Sequence, residues 1–133
     1  MATDASDPVI KVRDVVVAFG ERPVLDHASL DVHRGEILGL VGGSGSGKTV
    51  MLRTIIGLLP RKSGSIEVLG TDLATAGEDA REEIERRTGI LFQQGALFSS
   101  LTVRDNIQFP MREHLALSQR LMDEVAAAKL AMV

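Results

Sequence analysis

The run Gly42-Gly43-Ser44-Gly45-Ser46-Gly47-Lys48-Thr49 constrains this chain more than any other feature. It fits G-x-x-x-x-G-K-[ST] at every fixed position, and that pattern carries chemistry when a buried strand feeds it and a helix leaves it. Both flanks are predicted. Glu36–Val41 (EILGLV) is a short, nearly continuous apolar run, as expected of a parallel-sheet strand buried on both faces. Beyond the glycines, Val50, Leu52, Ile55, Ile56 and Leu59 recur at i, i+3 and i+4, which predicts an amphipathic helix over 48–59, ended by Pro60 and Gly64. Glycines let the backbone fold so tightly that successive N–H groups point at phosphate oxygens, and the helix N-terminus adds its positive end. Lys48 is placed for the β- and γ-phosphates and the Thr49 hydroxyl for Mg²⁺. A Gly/Ser linker would need neither the Lys-Thr pair nor the flanking elements. The expectation is a nucleoside-triphosphate site in an α/β chain.

The remaining pattern supplies strands before the loop and a mixture after it. Residues 1–8 read as a disordered lead-in ending at Pro8. Val9–Phe19 reads as one strand with room for a bulge, and Gly20–Pro23 as a turn. Val24–Val32 reads as a second strand with Val24, Asp26, Ala28, Leu30 and Val32 on one face. Ser65–Leu69 and Ile90–Phe92 read as strands, the latter short and buried, and Glu78–Arg87 as a charged helix. Thr102 with Asp105 three residues on resembles a capping box, opening a helix that Pro110 should bound. Ser118 is placed to cap a last helix on which Leu121, Met122 and Val125 share a face.

Composition narrows the function classes. With 133 residues the chain has room for one domain at most. Fifteen basic against 18 acidic residues give a net charge of −3, which offers no electrostatic prior for nucleic-acid binding. The absence of cysteine excludes disulfides, thiol catalysis and Cys-ligated metals. Three scattered histidines, His27, His33 and His114, suggest no metal cluster. No stretch approaches the about 18–20 apolar residues that span a bilayer, so direct membrane insertion is not expected.

Several motifs beyond the glycine loop, in order, resemble the ATPase subunit of ATP-binding cassette (ABC) transporters over about residues 9–133. They are Ala18-Phe19-Gly20, Val24-Leu25-Asp26 through Gly35-Glu36-Ile37, Ser63-Gly64-Ser65-Ile66 with Leu69-Gly70, and Phe92-Gln93-Gln94-Gly95-Ala96-Leu97-Phe98 followed by Leu101-Thr102-Val103 and Asp105-Asn106. The segment Gln94–Val103, with Phe109-Pro110-Met111-Arg112-Glu113-His114, is similar to the ATPases of Mla/Mce-type phospholipid transporters. The resemblance implies a P-loop NTPase of ABC ATPase type: a RecA-like core with an antiparallel β subdomain, the Q-loop and the start of a helical subdomain over 9–133. It implies ATP and Mg²⁺ as cofactors. A transmembrane permease and a second ATPase subunit would be the partners, at the cytoplasmic face of a bacterial inner membrane, with dimer closure around two Mg·ATP driving the permease. Phe19 would stack on adenine. Gly42, Gly43, Ser44, Gly45, Ser46, Gly47, Lys48, Thr49 and Val50 would hold the phosphates. Val50 stands where many members carry a second hydroxyl. Gln93 would contact Mg²⁺ or the attacking water, and Lys48 and Gln93 are the catalytic candidates. Phe98–Leu101 would face the permease.

Other family parts have no counterpart in this sequence. A Walker B strand ending in Asp-Glu, the LSGGQ signature and the switch histidine are missing. Leu121-Met122-Asp123-Glu124 has only two apolar residues before its acids, and Leu117-Ser118-Gln119-Arg120 lacks both glycines. The chain therefore reads as the N-terminal half of such an ATPase, truncated before Walker B, with an unpaired edge at Glu36–Val41 and instability as the consequence. Two alternatives to the transporter reading stand: a nucleotide-binding fragment without hydrolysis, and a non-transporter ABC-type ATPase.

Overall fold

The computed structural model describes residues 7–133, in two compact units that meet in sequence at Arg87 and Thr88. Of the expected lead-in, residues 1–6 lie outside the described residues. Pro8 already belongs to a strand, and Asp7 pairs with Lys11 at 3.0 Å.

The first unit is built on an antiparallel sheet of order β2-β1-β3-β4, with β1 at Pro8–Phe19, β2 at Arg22–His33, β3 at Ser63–Val68 and β4 at Thr71–Asp72. Two bulges decide which side chains reach the core. Val12 faces Leu30 and Val15 faces Ala28, so three residues of β1 oppose two of β2. Asp14, at φ 48°, accommodates the extra step, and Val12, Val15 and Val17 are therefore all buried on one face. Further along, Val17 faces Leu25, and β2 now carries the surplus residue at Asp26–His27, with His27 at φ 49°. This corrects the uniform alternation expected of β2. Leu25 is buried before the bulge and Asp26 is exposed, whereas Ala28, Leu30 and Val32 line the inner side beyond it. Gly64 of β3 sits against the β1 bulge at φ +89°. A Cβ there would lie 2.5 Å from the Arg13 carbonyl oxygen and 2.6 Å from that of Asp14, a fit open only to glycine. Outside the core, Arg13 holds Asp31 across β1 and β2 through bonds of 2.6 and 2.8 Å.

Two helices complete this unit, α1 at Lys48–Ile55 and α2 at Glu78–Arg86. Met51 and Ile55 of α1 and Ile84 of α2 join Val12, Val15, Val17, Leu25, Ile66 and Val68 in one core. The buried stripe of α1 is Met51, Thr54 and Ile55, so Leu52, expected on the inner face, is exposed. The helix also stops earlier than Pro60. The Gly57 N–H donates to Thr54 O and the Leu58 N–H to Arg53 O, with Gly57 at φ 78°. That is a Schellman ending, which a left-handed glycine permits.

The strands expected at Glu36–Val41 and Ile90–Phe92 do not form. Both segments are irregular, and Ile37, Val41 and Leu91 are 99%, 98% and 96% exposed. A strand is stabilised by its neighbours' hydrogen bonds, and neither segment pairs with a strand among the described residues.

The second unit holds α3 at Val103–His114 and α4 at Gln119–Ala131, which pack on one another. Thr102 and Ser118 cap them as expected, accepting from the Asp105 and Leu121 N–H groups. α3 continues through Pro110, where a helix end was expected. Proline forfeits one backbone bond, and a side-chain network fastens the turns around it. Gln108, fully buried, donates to Asp123 at 2.7 Å and accepts from Arg112 at 2.9 Å and Gln119 at 3.1 Å. Met122 and Ala126 form the buried stripe of α4. Val125 is half-buried beside them, and Leu121 is exposed.

Candidate functional site

An open cleft of about 220 Å³ in the first unit is lined by Phe19, Val24, Gly45, Ser46, Gly47, Lys48, Thr49 and Val50. The end of β1 delivers Phe19, the start of β2 delivers Val24, and the glycine loop with the first turn of α1 supplies the rest. Gly47 makes this convergence possible. It caps α1 at φ 89°, and a Cβ on it would lie 2.9 Å from Leu25 Cδ2 and 3.2 Å from the Val24 carbonyl oxygen. Any side chain at Gly47 would push the loop off β2.

Lys48 folds back over the loop. Its ammonium donates to the carbonyl oxygens of Gly42 at 2.6 Å and Gly43 at 2.7 Å and to Ser46 Oγ at 3.2 Å. A Cβ on Gly42 would fall 2.6 Å from the same Ser46 Oγ, so the space beside the ammonium also depends on glycine. The cation is thus centred on the loop by neutral oxygen acceptors. Thr49 is exposed on the cleft side, and Val50 presents an apolar wall while its carbonyl accepts from Thr54 Oγ1 at 2.7 Å.

This geometry fits a nucleotide with its magnesium. One end of the cleft is aromatic and apolar (Phe19, Val24, Val50). The other carries the cation, the Thr49 hydroxyl and the backbone of a tight glycine turn at a helix start, which is an anion-binding arrangement. Among the described residues no group of three or more His, Asp or Glu side chains could hold a metal alone, so a magnesium ion here would depend on phosphate oxygens beside Thr49.

The structure brings together Phe19 and residues 45–50, and it places Gly42 and Gly43 under the Lys48 ammonium. Ser44 is exposed on the loop and outside the cleft lining. Gln93 belongs to the second unit, exposed in the irregular stretch that precedes α3. Val24 is the lining residue that the list of candidates missed. Its place directly after the Gly20–Pro23 turn, at the start of the strand that pairs with the one ending in Phe19, was the available signal. Asp123 and Glu124 are helical and already engaged. Asp123 accepts from Gln108 and Gln119, and Glu124 pairs with Arg120 at 3.0 Å, which supports reading Leu121–Glu124 as a helix face rather than Walker B.

A glycine loop held against a β-strand, with Lys-Thr opening the helix behind it, defines a P-loop fold. Comparison with known proteins narrows the class: the family model described as ABC transporter matches residues 25–132, and the chain belongs to that family. It is 38% identical over 124 residues to the "Probable ribonucleotide transport ATP-binding protein mkl" of Mycobacterium leprae, covering 93% of this chain and 36% of that protein. It is 36% identical over 125 residues to the "Intermembrane phospholipid transport system ATP-binding protein MlaF" of Haemophilus influenzae, covering 94% of this chain and 47% of that one. The methionine import ATP-binding protein MetN of Mesorhizobium japonicum is 36% identical over 135 residues, covering 96% of this chain and 37% of its own. Among solved structures, a dimeric ATP-binding cassette in a post-hydrolysis state bound to ADP and Pi superimposes with a TM-score of 0.80 at 28% identity, over 92% of this chain and 56% of that chain. The chain thus spans between about a third and a half of the length of these curated relatives. The fold is that of part of an ABC ATPase domain and contains an antiparallel sheet.

Proposed function

We propose that this chain binds Mg·ATP and forms the N-terminal part of the energy-coupling subunit of an ABC transporter. The observation that carries the reading is the open cleft itself, which Phe19 from β1 and the loop Gly45–Val50 line together. Phe19 stacks on the base. The N–H groups of the Gly42–Gly47 loop and the start of α1 receive the phosphates. Lys48 exchanges its carbonyl partners for phosphate oxygens, and Thr49 holds the magnesium. Bound ATP supplies the phosphoanhydride bond whose hydrolysis drives such transporters. Gln93, in the second unit, is the candidate contact to the metal or the attacking water. The cargo reading is a phospholipid. It rests on the likeness of Gln94–Val103 and Phe109–His114 to Mla/Mce-type ATPases and on the 36% identity to MlaF, whereas other relatives are named for ribonucleotide and methionine transport. Partners on this reading are a transmembrane permease and a second ATPase subunit, with the chain peripheral to the cytoplasmic face of the inner membrane. No described helix is long and apolar enough to cross a membrane.

The test is thermal unfolding of the chain with and without Mg·ATP, beside Lys48→Ala. Nucleotide at about 100 times its dissociation constant should stabilise the unmutated chain by about 2.7 kcal/mol, and Lys48→Ala should remove the shift. An unshifted transition in the unmutated chain would overturn the proposal.

A second reading, nucleotide binding without turnover by this chain, is favoured by one observation. The only adjacent Asp-Glu pair after Gln93, Asp123-Glu124, lies on the helix α4, where Asp123 accepts from Gln108 and Gln119 and Glu124 pairs with Arg120, and it does not end an apolar strand. Phosphate release from ATP, scored against Lys48→Ala, separates the two readings.

A further inference from the structure

Lys62, in the connection that leads from α1 into β3, holds the end of β1 at two points. Its backbone N–H donates to the Val16 carbonyl oxygen at 2.8 Å, and its ammonium donates to the Gly20 carbonyl oxygen at 3.0 Å. Between those two carbonyls lie Val17, Ala18 and Phe19, the stretch that brings β1 to the cleft. Neighbouring strands hold this stretch weakly. On one side the β1–β3 ladder ends at Val16 and Ser63, so β3 pairs with none of residues 17–19. On the other side Ala18 faces Pro23, which has no N–H to give, and the register between β1 and β2 shifts on either side of Val17. Gly20 then turns the chain at φ 64°. Phe19 itself is 56% exposed, so core packing does not fix its ring. The Lys62 side chain spans the gap and supplies a donor where the sheet supplies none.

We propose that Lys62 is a positioning residue for the nucleotide: it fixes the turn at Gly20, and through it the Phe19 ring, where the base stacks. The inference rests on the reading that Phe19 receives the base, and it adds a residue outside the cleft lining that sets how well Phe19 does so. A ring already in place meets the base without a further ordering cost, whereas a loose hairpin tip subtracts that cost from the stacking. The phosphate half of the cleft is built on the loop Gly42–Gly47 and α1, to which neither Lys62 bond runs, so the effect of Lys62 is confined to the base.

The test is calorimetric titration of the 133-residue chain in magnesium, with ATP and with inorganic tripolyphosphate, a ligand that has the phosphates and no base. Lys62→Met removes the ammonium from an exposed position and keeps the backbone bond to Val16. It should weaken ATP about three- to tenfold, the scale of one hydrogen bond, and leave tripolyphosphate within about twofold. Lys62→Arg keeps a donor and should retain most of the affinity for ATP. Phe19→Ala should weaken ATP about tenfold or more through lost stacking, and adding Lys62→Met to it should cost nothing further, because the two residues act through one contact. Where tripolyphosphate binds too weakly to titrate, that double variant decides. Unchanged ATP affinity in Lys62→Met overturns the inference and leaves the cleft reading standing. Equal weakening of ATP and tripolyphosphate, or an undiminished Lys62→Met loss in the Phe19→Ala background, also overturns it, since either marks a general defect of the sheet. ATP affinity that Phe19→Ala leaves unaltered removes the stacking reading, and this inference falls with it. Absence of ATP binding by the unmutated chain would overturn the Mg·ATP proposal as a whole.

Discussion

The antiparallel sheet and the segment Glu36–Val41 belong to the same unit and have similar apolar content, yet one is a core and the other an exposed ribbon. The sheet finds all of its strands within the described residues. β1 and β2 are joined by a tight turn at Gly20–Glu21, and β3 returns to lie antiparallel beside β1. The central strands β1 and β3 have a paired neighbour on both sides, and Val12, Val15 and Ile66 are fully buried. Glu36–Val41 has the composition of a parallel strand, and parallel strands need crossover connections that bring neighbours from far along the sequence. Without such a neighbour among the described residues, Ile37 and Val41 stand in solvent. Apolar content alone decides neither burial nor strand formation; the supply of pairing partners does.

That contrast can be broken or sharpened experimentally. The largest effect is expected from Ile66→Ala, which opens a cavity beneath three strands and should cost about 2–5 kcal/mol in urea unfolding. A loss below about 1 kcal/mol would mean the sheet core is as loosely held as Glu36–Val41. Next comes Gly64→Ala. Its Cβ would overlap two carbonyl oxygens of β1 at a positive φ, and the mutant should lose about 1–3 kcal/mol by the same measurement. Smaller is the acid response of the α3–α4 pair. Hydrogen bonds from Gln108 and then Gln119 hold the Asp123 carboxyl below its ordinary value, and Thr102 followed by Arg112 does the same for Asp105. A depressed folded pKa contributes stability that is present above the ordinary carboxylate value of about 4 and is lost as pH falls below it. Asp123→Asn should flatten the stability profile in that acid range, read from thermal midpoints against pH. The smallest effect belongs to Ile37→Thr with Val41→Thr, expected to change stability by no more than about 0.5 kcal/mol while reducing aggregation seen by light scattering. A large loss there would show that the ribbon is buried in solution.

Much of this arrangement was legible in the sequence, for identifiable reasons. The glycine loop, the β1–β2 hairpin and the caps Thr102 and Ser118 are local signals, set by residues adjacent to the structure they form. The α1 ending was equally local, written in Gly57, but it was passed over in favour of Pro60. The face of β2 was not legible by alternation, because the bulge at Asp26–His27 shifts parity and depends on its pairing with β1. Pro110 was not legible as a helical residue for a related reason: Gln108, Arg112, Gln119 and Asp123 sustain α3 across it, and two of their four hydrogen bonds, Gln108 to Asp123 and Gln119 to Gln108, join α3 to α4. The strands at 36–41 and 90–92 failed for the deepest reason, since strandedness belongs to a pair and periodicity describes one member. At the site, Phe19 and the glycine loop were foreseen, and the structure joins them in one cleft. Val24 was not, because its place there comes from strand geometry rather than from a motif.

The bulge at Asp14 and its fit to Gly64 bear on how this sequence can change length over time. Inserting or deleting one residue in β1 would move the bulge off its glycine and turn every valine beyond it outward. Inserting one in β3 would carry Gly64 away from the carbonyls it must avoid. The two positions are coupled like matched teeth, and length variation in the sheet should be confined to places where no tooth must be kept, such as the exposed turn at Gly20–Glu21. The strands around the cleft are therefore bound more tightly in residue count than in side chain.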